Sequence, residues 1–389
     1  MTRYKLSEIC KIVSGSTPKT NVPEYWDGEN VWITPAEITD KTFIVYDSQR
    51  KLSNLGVEKT HLSSFPKGTV ILSSRAPIGK VAIAGVEMFC NQGFKNLICS
   101  EKIMNEYLYW FLKGKTKYLN SLGRGATFKE LSAKIIGNIE LEVPSIQEQK
   151  EVVIRLRKID QIIGVFEREV ELLDELIKAR FVEMFGDPVI NSYQLPVQSM
   201  TDICDIIDGD RGKNYPKAED ILDSGYCLFL NAKNVTQKGF DFESCNFITR
   251  EKDDALRKGK LSRGDVVLTT RGTVGNLAYY SEDIPYENIR INSGMVILRM
   301  NRNILNEIYF IELFKMKLSD IKEKNASGSA QPQLPISTMN KIILLIPPLE
   351  LQNQFASFVQ EIDKSRSRIQ KSLEASQELF DSLMQEYFG

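Results

Sequence analysis

Histidine is almost absent from this chain: His61 is the only one in 389 residues. A histidine-based metal site cannot be built from it. Six cysteines (Cys10, Cys90, Cys99, Cys204, Cys227 and Cys245) stand singly with no C-x-x-C pair, so no zinc framework is offered either. Buried or free thiols in a reducing compartment are expected. No apolar run approaches the roughly 20 residues that span a bilayer. Residues 1–10 carry charge throughout and lack the apolar core of a signal peptide. A cytoplasmic location without a membrane partner is therefore expected.

Catalytic signatures are missing too. Gly114-Lys115-Thr116 has Tyr109 where a phosphate-binding loop needs its first glycine. Neither F-x-G-x-G nor Asp/Asn-Pro-Pro-aromatic, the usual marks of an adenine methyltransferase, occurs, and no serine sits in G-x-S-x-G. Together these absences favour a binding protein with no catalytic residue, metal or cofactor of its own. The net charge of −1 does not point to nucleic acid, but its distribution is uneven. Residues 1–143 hold nineteen Lys and Arg against fourteen Asp and Glu, whereas residues 144–186 hold seven against nine. A weakly basic first part is compatible with DNA binding.

What is present is repetition. Pro144-Ser145-Ile146-Gln147-Glu148-Gln149 aligns with Pro347-Pro348-Leu349-Glu350-Leu351-Gln352, Ile159-Asp160 with Ile362-Asp363, and Phe185-Gly186 with Phe388-Gly389, all offset by 203. The block from Phe65 to Gly79 echoes Leu261 to Gly275 at an offset of 196, with Gly68/Gly264, Leu72/Leu268, Arg75/Arg271 and Gly79/Gly275 in register. The order is globular part, helix, globular part, helix. The boundaries fall at 1–143, 144–186, 187–346 and 347–389.

The helices are the clearest elements. Val152, Leu156, Ile159, Ile163, Phe166, Val170, Leu173 and Ile177 alternate steps of four and three, which is a heptad seam. Ser145 and Glu148 have the form of a capping box, and Gly186 with Pro188 forms a stop. The second helix places Phe355, Val359, Ile362, Ile369, Leu373 and Phe380 equivalently, and interrupts its seam with Arg366 and Ser376. Two such seams in one chain most simply pair with each other. Helix one carries a second apolar stripe (Ile162, Val165, Leu172, Leu176), to be covered by the globular parts or by a partner. The globular parts read as mixed α/β. Strands are expected from Val70 to Ser73, Val81 to Ala84, Val266 to Thr269 and Leu277 to Tyr280, and helices from Glu106 to Leu122 and Glu307 to Lys324.

On these features the chain resembles the type I restriction-modification specificity subunits. The elements carrying the likeness are the twin P-x-[IL]-x-x-Q helix starts, the twin F-G endings, and Gly328 to Leu334 before the second helix; the first half reads differently there, from Gly125 to Leu131. The resemblance implies an α+β fold: two target-recognition domains on two long antiparallel coiled-coil helices, related by a pseudo-twofold repeat. It also implies double-stranded DNA as ligand, a split target with one half-site per domain, two S-adenosylmethionine-dependent methylation subunits, and restriction subunits. About 33 residues of helix span roughly 50 Å, comparable with one DNA turn of about 34–36 Å plus the domains' width.

Under that reading Arg75 and Arg271, beside Gly79 and Gly275, present a guanidinium to a base edge or a phosphate; the alternative is a salt bridge tying down the turn. Lys19, Lys80, Lys95 and Lys213 are candidate phosphate contacts, and the stripe of Ile162, Val165, Leu172 and Leu176 is the candidate partner surface. Two rival readings stay open: the specificity partner of a related system outside type I, and a coiled-coil interaction scaffold that does not bind DNA.

Overall fold

The computed structural model describes residues 2–75, 77–123, 129–325 and 333–389. The chain divides into two compact units, Met1–Arg168 with Gln370–Gly389, and Glu169–Ile369. Each unit therefore contains one globular part and a segment of each long helix.

In the first unit the described residues form a sheet in the order Cys10–Ser14, Lys95–Cys99, Val70–Leu72, Val81–Ala84 and Ile44–Val45. Every neighbouring pair is antiparallel except the last. A smaller sheet runs Arg50–Leu52, Trp26–Ile33, Phe89–Cys90. The helix Asn105–Gly114 packs on Val70–Leu72 and Val81–Ala84, with Tyr107 through Leu112 all buried. A single long helix was expected there; it breaks at Lys115 and resumes over Thr116–Leu122. The break follows Gly114, and the Thr116 hydroxyl donates toward the Lys113 carbonyl (3.0 Å) and the Gly79 carbonyl (3.4 Å), tying the turn to the adjacent loop.

The second unit repeats the four antiparallel strands of this plan in register, without a counterpart of Ile44–Val45 in the sheet. Its sheet runs Cys204–Asp208, Met295–Met300, Val266–Thr269, Leu277–Tyr279. Val70 pairs with Leu97 and Ile83 in the first unit, and Val266 with Leu298 and Tyr279 in the second. Cys10 pairs with Cys99, and Cys204 with Met300. The smaller sheet of this unit runs Phe247–Ile248, Cys227–Leu230, Ile289–Ile291, and Arg290 ties its last strand to Asp253, which is fully buried. Its carboxylate accepts from Arg290 Nε (2.6 Å) and Lys260 Nζ (2.5 Å), while Arg290 also donates to the Lys258 and Asp253 carbonyls.

The long helices are Ile146–Phe185 and Leu349–Phe388. The first opens on the expected capping box: the Ser145 amide and hydroxyl both donate to Glu148 Oε2 (2.8 and 2.7 Å). It closes on Gly186 at φ +73°. Every named seam residue is buried or half-buried. In the second unit Phe181 meets Phe355 and Asp174 meets Arg366, so the two segments run antiparallel. In the first unit Arg155 donates to the Tyr387 hydroxyl, and Trp110 packs on Phe380.

The twin motifs now have physical reasons. Gln149 is fully buried, accepts from the Met104 amide (2.8 Å) and donates to the Lys102 and Pro144 carbonyls. Gln352 does the same with the Asn306 amide and the Ile304 and Pro347 carbonyls. Each glutamine fastens the start of a long helix to a globular part, and each buried group left unpaired would cost about 1–3 kcal/mol. The two F-G endings likewise dock alike: Phe185 lies edge-on to Tyr309 (4.9 Å) and Phe388 to Tyr107 (5.1 Å). All six cysteines are free, as read from their spacing.

Candidate nucleic-acid interface

The loop after Val70–Leu72 is built by its own polar side chains. Ser73 Oγ donates to the Pro77 carbonyl (2.7 Å) and accepts from the Lys80 amide (2.8 Å). Thr269 Oγ1 repeats both bonds, donating to the Thr273 carbonyl and accepting from the Asn276 amide. Gly79 and Gly275 close the loops at φ +96° and +89°, a left-handed conformation that glycine alone adopts cheaply. The Ser74 amide donates to the Gly93 carbonyl and its carbonyl accepts from the Leu131 amide; Thr270 does the same with Gly294 and Leu334. Pinned on both sides, the chain must present the next residue at the end of the sheet. That residue is Arg75 in one copy and Arg271 in the other, both exposed.

The two arginines are not alike in charge environment. Arg75 bridges Glu130, and Arg271 bridges Gln333, through the same antiparallel backbone pairing. Arg75 Nη2 lies 3.0 Å from Glu130 Oε2, and Lys95 Nζ lies 3.5 Å from the other oxygen. The hydrogen bond from Arg75, seconded by both cations' charge, holds the Glu130 carboxyl below the usual carboxylate range. Among the described residues no carboxylate bonds Arg271.

Lys95 is 10% exposed at its side chain, its ammonium turned toward Glu130, Ser74 Oγ and the Phe94 carbonyl. It buttresses the loop from inside. Lys80 is half-buried with its ammonium 3.0 Å from the Pro35 carbonyl. Lys19 and Lys213 are exposed and form no ion pair among the described residues. The loops at Gly125 and Gly328 lie outside the described residues. The second helix stripe is open: Ile162, Leu172 and Leu176 are each 45% exposed and Val165 56%. Among the described residues no cluster of three His, Cys, Asp or Glu gathers to hold a metal, and no helix is long and apolar enough to cross a membrane.

Glu130 was not singled out from the sequence. The signal that could have found it is the pair Leu131/Leu334, which carries the 203 offset of the helices and sets Glu130 against Gln333.

Two copies of one α+β domain, each presenting an arginine loop at the end of its sheet and each packed with its own segments of the two long helices, define an internally repeated protein of the recognition-subunit class. The chain belongs to the type I restriction modification DNA specificity family, whose domain model matches residues 1–172 and again 196–377. It is 30% identical over 399 aligned residues to the type I restriction enzyme MjaIX specificity subunit of Methanocaldococcus jannaschii, covering 98% of this chain and 90% of that one. It is 27% identical over 178 residues to the EcoR124I/EcoR124II specificity subunit of Escherichia coli, covering 43% and 44%. The fold matches the crystal structure of the S subunit from M. genitalium with a TM-score of 0.58 at 16% identity, covering all of this chain and 96% of that one.

Proposed function

We propose that this chain selects the DNA target of a type I restriction-modification complex and performs no chemistry itself. Each domain reads one half of a split double-stranded site. The observation that carries this reading is the repeated loop, which exposes Arg75 and Arg271 at equivalent places in a chain of this family. Lys19 and Lys213 add phosphate contacts, while Lys80 is turned onto the Pro35 carbonyl and Lys95 supports Glu130 from within. Domain bounds of 1–143 and 187–346, with helices 144–186 and 347–389, fit this division of labour. The open stripe of Ile162, Val165, Leu172 and Leu176 is the surface that two methylation subunits would cover, and restriction subunits would join that assembly in the cytoplasm. Methyl groups would come from S-adenosylmethionine held by those partners; this chain binds no cofactor.

Binding of the purified chain to duplex DNA tests the reading. Log affinity is expected to fall linearly with log salt, and methyl transfer to appear only when methylation subunits are added. Robust S-adenosylmethionine-dependent transfer by this chain alone would overturn the non-catalytic assignment. Salt-independent or absent duplex binding would favour the scaffold reading.

A further inference from the structure

We propose that Glu130 sets the two arginines to different tasks: it holds Arg75 as the reader of a base edge, whereas Arg271, facing Gln333, is left to grip a phosphate. This assignment rests on the reading that both domains bind DNA.

Arg75 pairs with Glu130 and Arg271 with Gln333 through the same backbone bridge at the same loop, so the two sites differ in side chains rather than in scaffold. Ser14 pairs with Lys95 and Asp208 with Val296 at matching places in the register, so Val296 occupies the place of Lys95. The acid and its lysine thus occur together in one domain and are replaced together, by an amide and an apolar residue, in the other.

In the first domain Glu130 cannot swing aside cheaply. Its second oxygen is the charge partner of Lys95, an ammonium almost withdrawn from solvent. The carboxylate therefore stays beside Arg75 when DNA arrives. A phosphate placed on that guanidinium would bring a second anion against Glu130, and a like-charge approach at this range is unfavourable. The N7 and O6 acceptors of guanine carry no net charge and meet no such penalty. Arg75 has five N–H donors in a rigid fork, and the Glu130 contact engages only Nη2, leaving the other donors for a base edge. The recess beside it is lined by Thr34, Asn91 and Gln92, neutral groups suited to base edges, with the Lys80 ammonium turned onto the Pro35 carbonyl. Arg271 is exposed with no carboxylate on it among the described residues, so its charge is available to the DNA backbone.

The test uses the full-length chain assembled with methylation subunits, and a pool of duplexes randomised over about two helical turns, roughly 20 base pairs. Bound duplexes are sequenced, then the best and a scrambled duplex are titrated across salt. Arg75→Ala should erase preference at one position of one half-site, about ten- to a hundredfold, and leave the salt slope unchanged. Arg271→Ala should weaken selected and scrambled duplexes alike and lower the slope by about 0.9, one phosphate. Gln333→Glu, at an exposed position, should lower that slope equally without disturbing the fold. Glu130→Gln should raise the slope by about 0.9 and blunt the preference. An Arg75→Ala variant that loses slope uniformly, or a Gln333→Glu variant with the wild-type slope, overturns the assignment. A wild-type assembly that shows no salt-dependent duplex binding overturns the underlying DNA reading instead, and is told apart by that control.

Discussion

A fragment of residues 1–186 is expected to sediment as a concentration-dependent homodimer and, with methylation subunits, to direct modification of a palindrome made from one half of the parent target. The basis is the matched docking of the two helix ends. Phe388 packs against Tyr107 and Phe111 of the first domain, and Phe185, its repeat at the 203 offset, packs against Tyr309 in the second. Tyr107 and Tyr309 are themselves repeat-equivalent, so Phe185 of a second copy can fill the place of Phe388. The seam from Val152 to Ile177 would pair with itself, with Asp174 opposite Ile163 instead of Arg366. Pairing becomes bimolecular and loses the effective concentration, of order millimolar, that one chain supplies. The fragment 187–389 should associate more weakly, because each Arg366 would face the seam without Asp174, its partner in the intact chain. Sedimentation at about tens of micromolar and methylation mapping check both halves of this expectation. A strictly monomeric 1–186 fragment, or a dimer still reading the asymmetric target, would contradict it.

The second large effect lies in the buried charge cluster of the second domain. Asp253→Ala strands Arg290, 5% exposed at its side chain, beside Lys260. Removing one partner of such a buried pair costs about 3–5 kcal/mol, which should move the unfolding of this unit down by roughly 10 °C. Burial works against the Asp253 charge, but the Lys260 and Arg290 bonds outweigh it and hold the carboxyl below the usual range. A depressed carboxylate stabilises fully above its unfolded value of about 3.9, and the contribution is lost as pH falls through the lower folded value. Wild-type protein should therefore lose stability in that acidic window, and the alanine variant should lose less there. Thermal unfolding followed by ellipticity at several pH values reads both. An unchanged midpoint in the variant would show that the cluster is not holding the small sheet together.

How much of this was legible in the sequence depends on how local the cause is. The helix seam, the Ser145 capping box and the Gly186 stop rest on neighbours within a few residues, and the structure has them where the pattern placed them. The internal repeat was readable because Pro144, Gln149 and Phe185 recur at one offset; the reason for Gln149 was not, since its partners Lys102 and Met104 lie far upstream. Arg75 was found as half of a pair, but its Glu130 contact depends on a strand end meeting a loop 55 residues further on. The burial of Lys95 was hidden for the same reason: a lysine in a short β run reads as solvated until the strand across from it is known. The break at Lys115 escaped because the apolar spacing continues through it, while the Thr116 hydroxyl tie to Gly79 is tertiary.

The proposed role of this chain is to choose a DNA site in two halves, one per domain. Methylation mapping of host DNA, with the gene present, deleted, and carrying the second domain of a relative, tests it most directly. Two unequal specified blocks separated by an unspecified spacer are expected, with the pattern lost on deletion and only one block altered by the exchange. A methylation pattern indifferent to deletion, or an exchange that alters both blocks at once, would contradict it.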